Sequence, residues 1–476
     1  MAEFPFWLGG RPGRSDSPLE VRNPFDGSLV GRTWLAGDAE FERAAAAAVD
    51  AAAAMRGLPA YERGAILQRA SARIASRREE MARTLASEAG KPIRDALTEV
   101  DRATMTFHVA GEEARRIGGE VVPMDLAPHG VGRVGIARRV PIGPVAAISP
   151  FNFPMNLAAH KVAPALAAGN PVVLKPATKT PLSALYLADV LLDAGLPPEA
   201  VSVLPMGRAA GDRLVTDDRF KLLTFTGSSA VGWKMKERAG RKRVILELGG
   251  NAGVIVDDSA EIAFAAGRIA TGGFSFAGQS CISVQRVYVH ERIQAEFTER
   301  FVALVEGLRI GDPLEADTDV GPMIEESEAA RIESWVDEAV TSGARVLTGG
   351  KRLGGALYAP TVLTNVPVDA RVCAQEVFAP LVALFPFRDF DAALREVNRS
   401  SYGLQAGVFT ASLEHTLRAF DALEVGGVIV NDVPTWRIDH MPYGGVKDSG
   451  LGREGPRYTI EEMTEIRLLV INRDRR

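Results

Sequence analysis

A cysteine attacks carbonyl carbon only as its thiolate, which requires close backbone donors, a nearby base and room for a substrate. Cys281, in the run Gly278-Gln279-Ser280-Cys281, is placed to meet those demands, because Gly272, Gly273 and Gly278 let backbone crowd towards its sulfur. Upstream, Glu247 closes the apolar stretch Val244-Ile245-Leu246 and precedes Gly249 and Gly250. Burial at the end of such a strand raises a carboxyl pKa towards the range of a general base. Asn152, in SPFNFP, is an uncharged amide donor on a proline-stiffened loop and suits an oxyanion. Cys373, in RVCAQEVF, has no glycine approach and reads as a packing residue.

A second set of residues suits a nucleotide. Lys175 ends the strand-like VVLK and emerges where α/β sheets bind nucleotides. Gly227-Ser228-Ser229-Ala230-Val231-Gly232 follows LLTFT and opens a helix, so its backbone N–H groups face a pyrophosphate. Glu376, in QEVFAP, offers a carboxylate to ribose hydroxyls. The six histidines are scattered without HExxH or a Cys/His cluster, and no metal site is expected.

Positioning these groups takes a large α/β scaffold. The chain has 476 residues, more than one core usually holds, so two or three domains are expected. Residues 1–35 read as a surface arm, and helices are expected over 38–56, 61–88 and 93–117 from apolar spacing. The stretch 131–148 predicts paired strands. From there short apolar strands alternate with helices, which predicts a doubly wound parallel sheet. A second α/β unit begins at 254–258, and 464–471 predicts a final strand at a subunit edge.

Charge and cysteine usage limit the partners. Lys and Arg number 55 against 60 acidic residues, a net charge of −5, which gives no reason to expect nucleic acid or an anionic membrane. Two cysteines in so long a chain fit a reducing compartment. The N-terminus lacks the pattern of a secretory signal, and no apolar run is long enough to span a bilayer. A cytoplasmic location is expected.

In order along nearly the whole chain, SPFNFP, VLKPA, FTGSSAVG, ELGGN, GQSC, EVFAP and PYGGVKDSGLGREG resemble the NAD(P)-dependent aldehyde dehydrogenase superfamily. The resemblance implies an aldehyde dehydrogenase-like α/β fold with a Rossmann-type cofactor domain over 1–122 and 142–250. It implies an α/β catalytic domain over 251–448 and a β oligomerisation element from 123–141 and 449–476. A homodimer or homotetramer follows, with NAD or NADP as cofactor and a small aldehyde as substrate. Cys281 is then the nucleophile, Asn152 an oxyanion donor and Glu247 the base that activates water against a thioester. Lys175 meets the adenosine ribose, Ser228 the pyrophosphate, Glu376 the nicotinamide ribose, and Phe378 packs beside it. Ser149, Pro150, Phe151, Thr178, Leu248 and the glycines Gly227, Gly232 and Gly249 complete the cofactor set.

Departures from the family pattern bear on details. Thr178 stands where many NAD-preferring members carry glutamate, and Lys179 adds a cation, so NADP is expected to be tolerated. Matched positions give Arg102, Phe153, Asn156, His160, Ser280, Ile282, Arg437 and Tyr443 as substrate lining. Arg102 and Arg437 are similar in position to the anion-gripping arginines of non-phosphorylating glyceraldehyde-3-phosphate dehydrogenases, although Ser280 replaces the arginine often found before the nucleophile. A small polar or anionic aldehyde is expected, against the plainer reading that Arg102 only forms an ion pair. Two rivals are a CoA-acylating dehydrogenase, whose members commonly lack the matching glutamate, and an idle binding or structural protein, which would have lost catalytic groups.

Overall fold

The computed structural model describes residues 2–473; residue 1 of the expected cofactor segment and 474–476 of the expected oligomerisation element lie outside them. Five short strands, Val145–Ile148, Val172–Lys175, Val201–Val203, Leu222–Thr226 and Arg243–Glu247, are apolar and largely buried on both faces. That pattern suits parallel strands covered by helices on each side. They run parallel in the order 201–203, 172–175, 145–148, 222–226, 243–247. The order reverses between Val145–Ile148 and Leu222–Thr226, which opens a crevice at their carboxyl ends.

Both edges of this sheet are closed by antiparallel strands. Phe6–Leu8 pairs with Val201–Val203 at Trp7, with Arg11–Gly13 outside it. The expected surface arm is therefore partly a sheet edge, because burying Phe6, 1% exposed, anchors it in the core. Gly450–Leu451 pairs beside Leu246 and Glu247 at the other edge.

The expected helix over 61–88 is two helices, Ala60–Ser76 and Arg78–Ala89, parted at Arg77, whose ψ of 20° leaves the helical range. The segment 131–148 holds two strands that do not pair with each other. Arg133–Pro141 pairs with Thr464–Asn472 and Gly119–Val122 in a separate three-stranded sheet, whereas Val145–Ile148 enters the first sheet. Pro141 and Pro144 lack donors for a hairpin ladder, and Gly143, at φ +118, turns the chain away. Residues 119–122, expected at the end of a cofactor segment, thus belong to the small sheet. Strand Thr464–Asn472 leaves Ile466, Leu468, Leu469, Val470 and Ile471 exposed.

A second, seven-stranded sheet runs Arg345–Thr348, Thr361–Thr364, Leu381–Phe387, Val284–His290, Ala252–Val256, Gln405–Phe409, Gly427–Val430. Gly253 in its centre packs so closely that a Cβ there would lie 2.9 Å from Val397. No helix among the described residues is long and apolar enough to cross a membrane.

Helix Ile93–Glu113 and helix Asn156–Ala168 are joined by a buried charge pair that also sets the site. Glu99 accepts the N–H groups of Met155 and Asn156 at 3.0 and 3.1 Å and binds Lys91 with its other oxygen. Both side chains are fully buried. Glu99→Ala strands the Lys91 charge and uncaps the helix, and a loss of about 3–5 kcal/mol is expected in denaturant unfolding. Glu99→Leu with Lys91→Met should recover most of it.

Candidate active site

Helix Ile262–Phe274 runs into a short turn, Ser275–Gly278, before Cys281. Phe276, Ala277 and Gly278 occupy left-handed backbone at φ +49, +52 and +67. For the two non-glycine residues this costs about 1–2 kcal/mol each, so neighbouring contacts must hold it. Phe276 is buried edge-to-face on Phe153, centroids 6.1 Å apart, and Lys91 Nζ lies 4.3 Å from its ring. Ser275 Oγ donates to Asp95 at 3.0 Å. At Gly278 a Cβ would come within 2.2 Å of the Ala379 carbonyl, so only glycine fits.

Buried Gln279 then fixes the next residue: its Oε1 accepts the Ile324 N–H at 2.8 Å. Asn152 Nδ2 donates to the Gln279 carbonyl at 3.0 Å, which brings the expected oxyanion donor onto the loop that carries Cys281. Cys281 Sγ lies 3.2 Å from the Tyr443 hydroxyl. Burial pushes the Cys281 thiol up to about 12, opposed by the Tyr443 hydrogen bond and the Arg437 charge.

Glu247 is 3% exposed at the carboxyl end of Arg243–Glu247, and neither carboxylate oxygen has a hydrogen-bond partner among the described residues. Burial first, and then the charge of Glu454, holds its carboxyl well above the ordinary range, while Arg437 and Lys161 pull the other way. An unpartnered carboxyl made more basic by burial suits proton transfer rather than structure.

A cavity of about 300 Å³ is lined by Ser280, Cys281, Ile282, Phe153, Asn156, Arg102, Arg437 and Tyr443. Of the expected lining only His160 is absent. It lies fully buried behind the wall, with Nε2 2.9 Å from Asp439 and 3.2 Å from Arg437 Nη2. Arg102 forms an ion pair, but across the fold: Nε and Nη2 donate to Asp439 at 3.2 and 2.9 Å. Arg437 stacks on the Tyr443 ring, 3.6 Å from its centroid, and lies 3.6 Å from Glu454. Its buried Nε has no hydrogen-bond partner among the described residues. Lys91, Arg268 and Trp436 also line the cavity and carried no motif in the sequence. A larger hollow of about 700 Å³ beside the three-stranded sheet contains none of the expected site residues.

The cofactor candidates gather at the crevice of the first sheet. Ser149, Pro150 and Phe151 follow Val145–Ile148, and the buried Ser149 Oγ has no partner. Lys175 crosses Gly211, where a Cβ would lie 2.7 Å from its chain, and burial lowers its pKa. Ser228 is exposed at the start of helix Ser229–Arg238 without capping it. Gly227 and Gly232 leave room for Phe225 and Leu248, each 2.4 Å from where a Cβ would stand. Phe151 and Phe378 meet edge-to-face at 5.9 Å. Glu376 accepts the Gly250 N–H at 2.9 Å, abuts Gly249, and is pushed up to about 7 by burial. Thr178 is half-buried nearby in sequence, while Lys179 is already paired with Glu325.

Cys373 packs in the core of the second sheet, as its sequence setting implied. Among the described residues no His, Cys, Asp and Glu cluster is arranged to hold a metal ion.

Cys281 thus lines the cavity of about 300 Å³ with the Glu247 carboxyl within electrostatic reach. The chain belongs to the aldehyde dehydrogenase family, whose family model matches residues 11–469, and is therefore an oxidoreductase that oxidises aldehydes. It is 46% identical over 473 residues to a 3-sulfolactaldehyde dehydrogenase of Priestia megaterium, covering 99% of this chain and 98% of that one. Aldehyde dehydrogenase 21 of Physcomitrella patens, solved with its reaction product succinate, superposes with a TM-score of 0.97 at 48% identity, covering 99% and 98%. Glyceraldehyde-3-phosphate dehydrogenase GapN of Methanocaldococcus jannaschii, complexed with NADP, gives 0.92 at 38% identity, covering 95% and 99%.

The raised Glu247 carboxyl has a signed consequence for stability. The unfolded chain ionises this group near its ordinary value while the native state keeps its proton, so native stability falls as pH rises from there towards the native pKa. Glu247→Gln removes that loss. Its melting temperature should match the native protein in acid and exceed it increasingly towards neutral pH, as measured by calorimetry.

Proposed function

We propose that this protein oxidises a small anionic aldehyde to its carboxylate with NAD or NADP, using water as final acceptor. The observation that carries the substrate class is Arg437, a buried guanidinium that shares the cavity with Cys281 and has an unpartnered Nε. An unpaired buried donor is costly, and a sulfonate, phosphate or carboxylate on the substrate would satisfy it. The relatives acting on, or crystallised with, small anionic molecules support the same reading.

The crevice residues fit a dinucleotide. Ser149 Oγ is an orphaned buried hydroxyl, the Ser228 end of helix Ser229–Arg238 offers uncapped N–H groups, and Glu376 keeps an oxygen for a ribose hydroxyl. Lys175, Phe151 and Phe378 would flank the bound molecule. Thr178 carries no charge to repel a 2′-phosphate, so NADP is accepted. When bound, the nicotinamide supplies the two-electron acceptor that oxidises the thiohemiacetal to a thioester.

The chain's own residues perform the remaining work. Cys281 thiolate adds to the carbonyl carbon as the carbonyl pair moves to oxygen. The Asn152 amide and the Cys281 N–H stabilise that oxyanion. In its ionised form Glu247 takes a proton from water, hydroxide adds to the thioester, and the sulfur leaves as thiolate. Glu247 at this place favours water over a CoA thiol, and retention of all three catalytic groups argues against an idle protein.

The exposed apolar strand Thr464–Asn472 and the free sheet edge at Gly427–Val430 are the surfaces for a homodimer or homotetramer. Two unpaired cysteines suit a cytoplasmic setting.

Nicotinamide reduction should be followed with matched anionic and neutral small aldehydes, with NAD and NADP in parallel. The native protein should prefer the anionic member and turn over with NADP at least as well as with NAD. Cys281→Ser should be inactive. Arg437→Ala should raise KM for the anionic aldehyde roughly ten- to a hundredfold, the worth of a charged hydrogen bond, with far less effect on the neutral one. Equal losses on both would contradict the anion site.

A further inference from the structure

The Tyr443 hydroxyl sits 3.2 Å from Cys281 Sγ, and among the described residues the sulfur is its hydrogen-bond partner. The residue is 3% exposed, so water does not substitute freely for that partner. A thiolate has no proton to give and accepts only, whereas a phenol is a better donor than a thiol. The ring is braced by Arg437, stacked 3.6 Å from its centroid, and by its own backbone pairing with Glu454, N to carbonyl 3.0 Å. We propose that Tyr443 is a catalytic donor to the nucleophile: its O–H hydrogen bond stabilises the Cys281 thiolate, and Arg437 holds and polarises the phenol.

This deepens the reading of Cys281 as nucleophile and rests on it. The charged groups that face the sulfur are Glu376 and Glu247, which disfavour thiolate, and Arg437, which favours it. Tyr443 is the neutral group among these contacts that can donate. Burial together with the nearby Cys281 keeps the phenol pKa well above its ordinary value, so it donates without surrendering its proton. In forming thiolate the sulfur loses its proton to water in the cavity. On addition the S–C bond forms as the carbonyl pair moves to oxygen, and the phenol proton stays on Tyr443 throughout.

The test reads the resting thiol and needs no turnover. Cys373→Ser leaves Cys281 as the one cysteine, and its alkylation by iodoacetamide is followed against pH by mass spectrometry. Adding Tyr443→Phe should slow alkylation about tenfold near neutral pH and move the midpoint up by about one unit, as loss of a charged hydrogen bond requires. Replacing Tyr443 by 3,5-difluorotyrosine, a stronger donor, should move the midpoint down. Superimposable profiles for all three proteins, at unchanged melting temperature, would overturn the proposal. Absence of nicotinamide reduction with every aldehyde would instead count against the proposed function and leave the alkylation result standing.

Discussion

The structure turns on a balance of charges that have been taken out of water. Glu454, 1% exposed, lies against Lys161 at 3.0 Å and Arg437 at 3.6 Å. Burial opposes its ionisation, yet Lys161, His160 and Arg437 hold the carboxyl down to about 2. Asp439 behaves alike: despite burial, His160 and Arg102 hold it well below the ordinary carboxylate range. In so dry a region each unit charge is felt strongly across several ångströms. Burial first, and then the anionic charge of Glu454, makes the Glu247 carboxyl more basic than an ordinary carboxylate, and Arg437, ion-paired to Glu454 through Nη2, keeps an unsatisfied Nε among the described residues. The chemistry of the cavity follows from that arrangement.

The same buried network joins parts of the chain that are remote in sequence. Arg102 comes from helix Ile93–Glu113, His160 and Lys161 from helix Asn156–Ala168, and Arg437, Asp439 and Glu454 from the C-terminal loops. Lys91 and Glu99 extend it to the strained turn at Phe276. Left-handed backbone at two non-glycine residues before the nucleophile persists because aromatic packing and the buried lysine leave no better alternative. The position of Cys281 thus depends on the packing of the helix layer beneath it.

The placement of several candidate residues was legible from residue types and order: Asn152, Gly227 and Glu247 stand at or just beyond the ends of apolar strands, and Cys281 follows a glycine-bearing turn. Parallel sheets announce themselves in runs such as VVLK and LLTFT, which are buried on both faces. Pairing partners did not, since Arg133–Pro141 and Val145–Ile148 are adjacent in sequence and divide between two sheets. His160, placed in the cavity wall by matched family position, is instead drawn inward by the buried Asp439. Neither Asp439 nor Lys91 has a sequence signal, because a buried charge is recognised only through a partner far along the chain. The Tyr443 contact with sulfur belongs to the same class of long-range facts.

In the proposed function, Glu247 turns over a thioester formed on Cys281. Glu247→Gln should be mixed with aldehyde and cofactor and examined by intact-protein mass spectrometry, with the modified peptide located by fragmentation. One equivalent of reduced nicotinamide in a burst and an acyl group retained on Cys281 are expected. Unimpaired steady turnover, or a burst with no acyl group on Cys281, would contradict it.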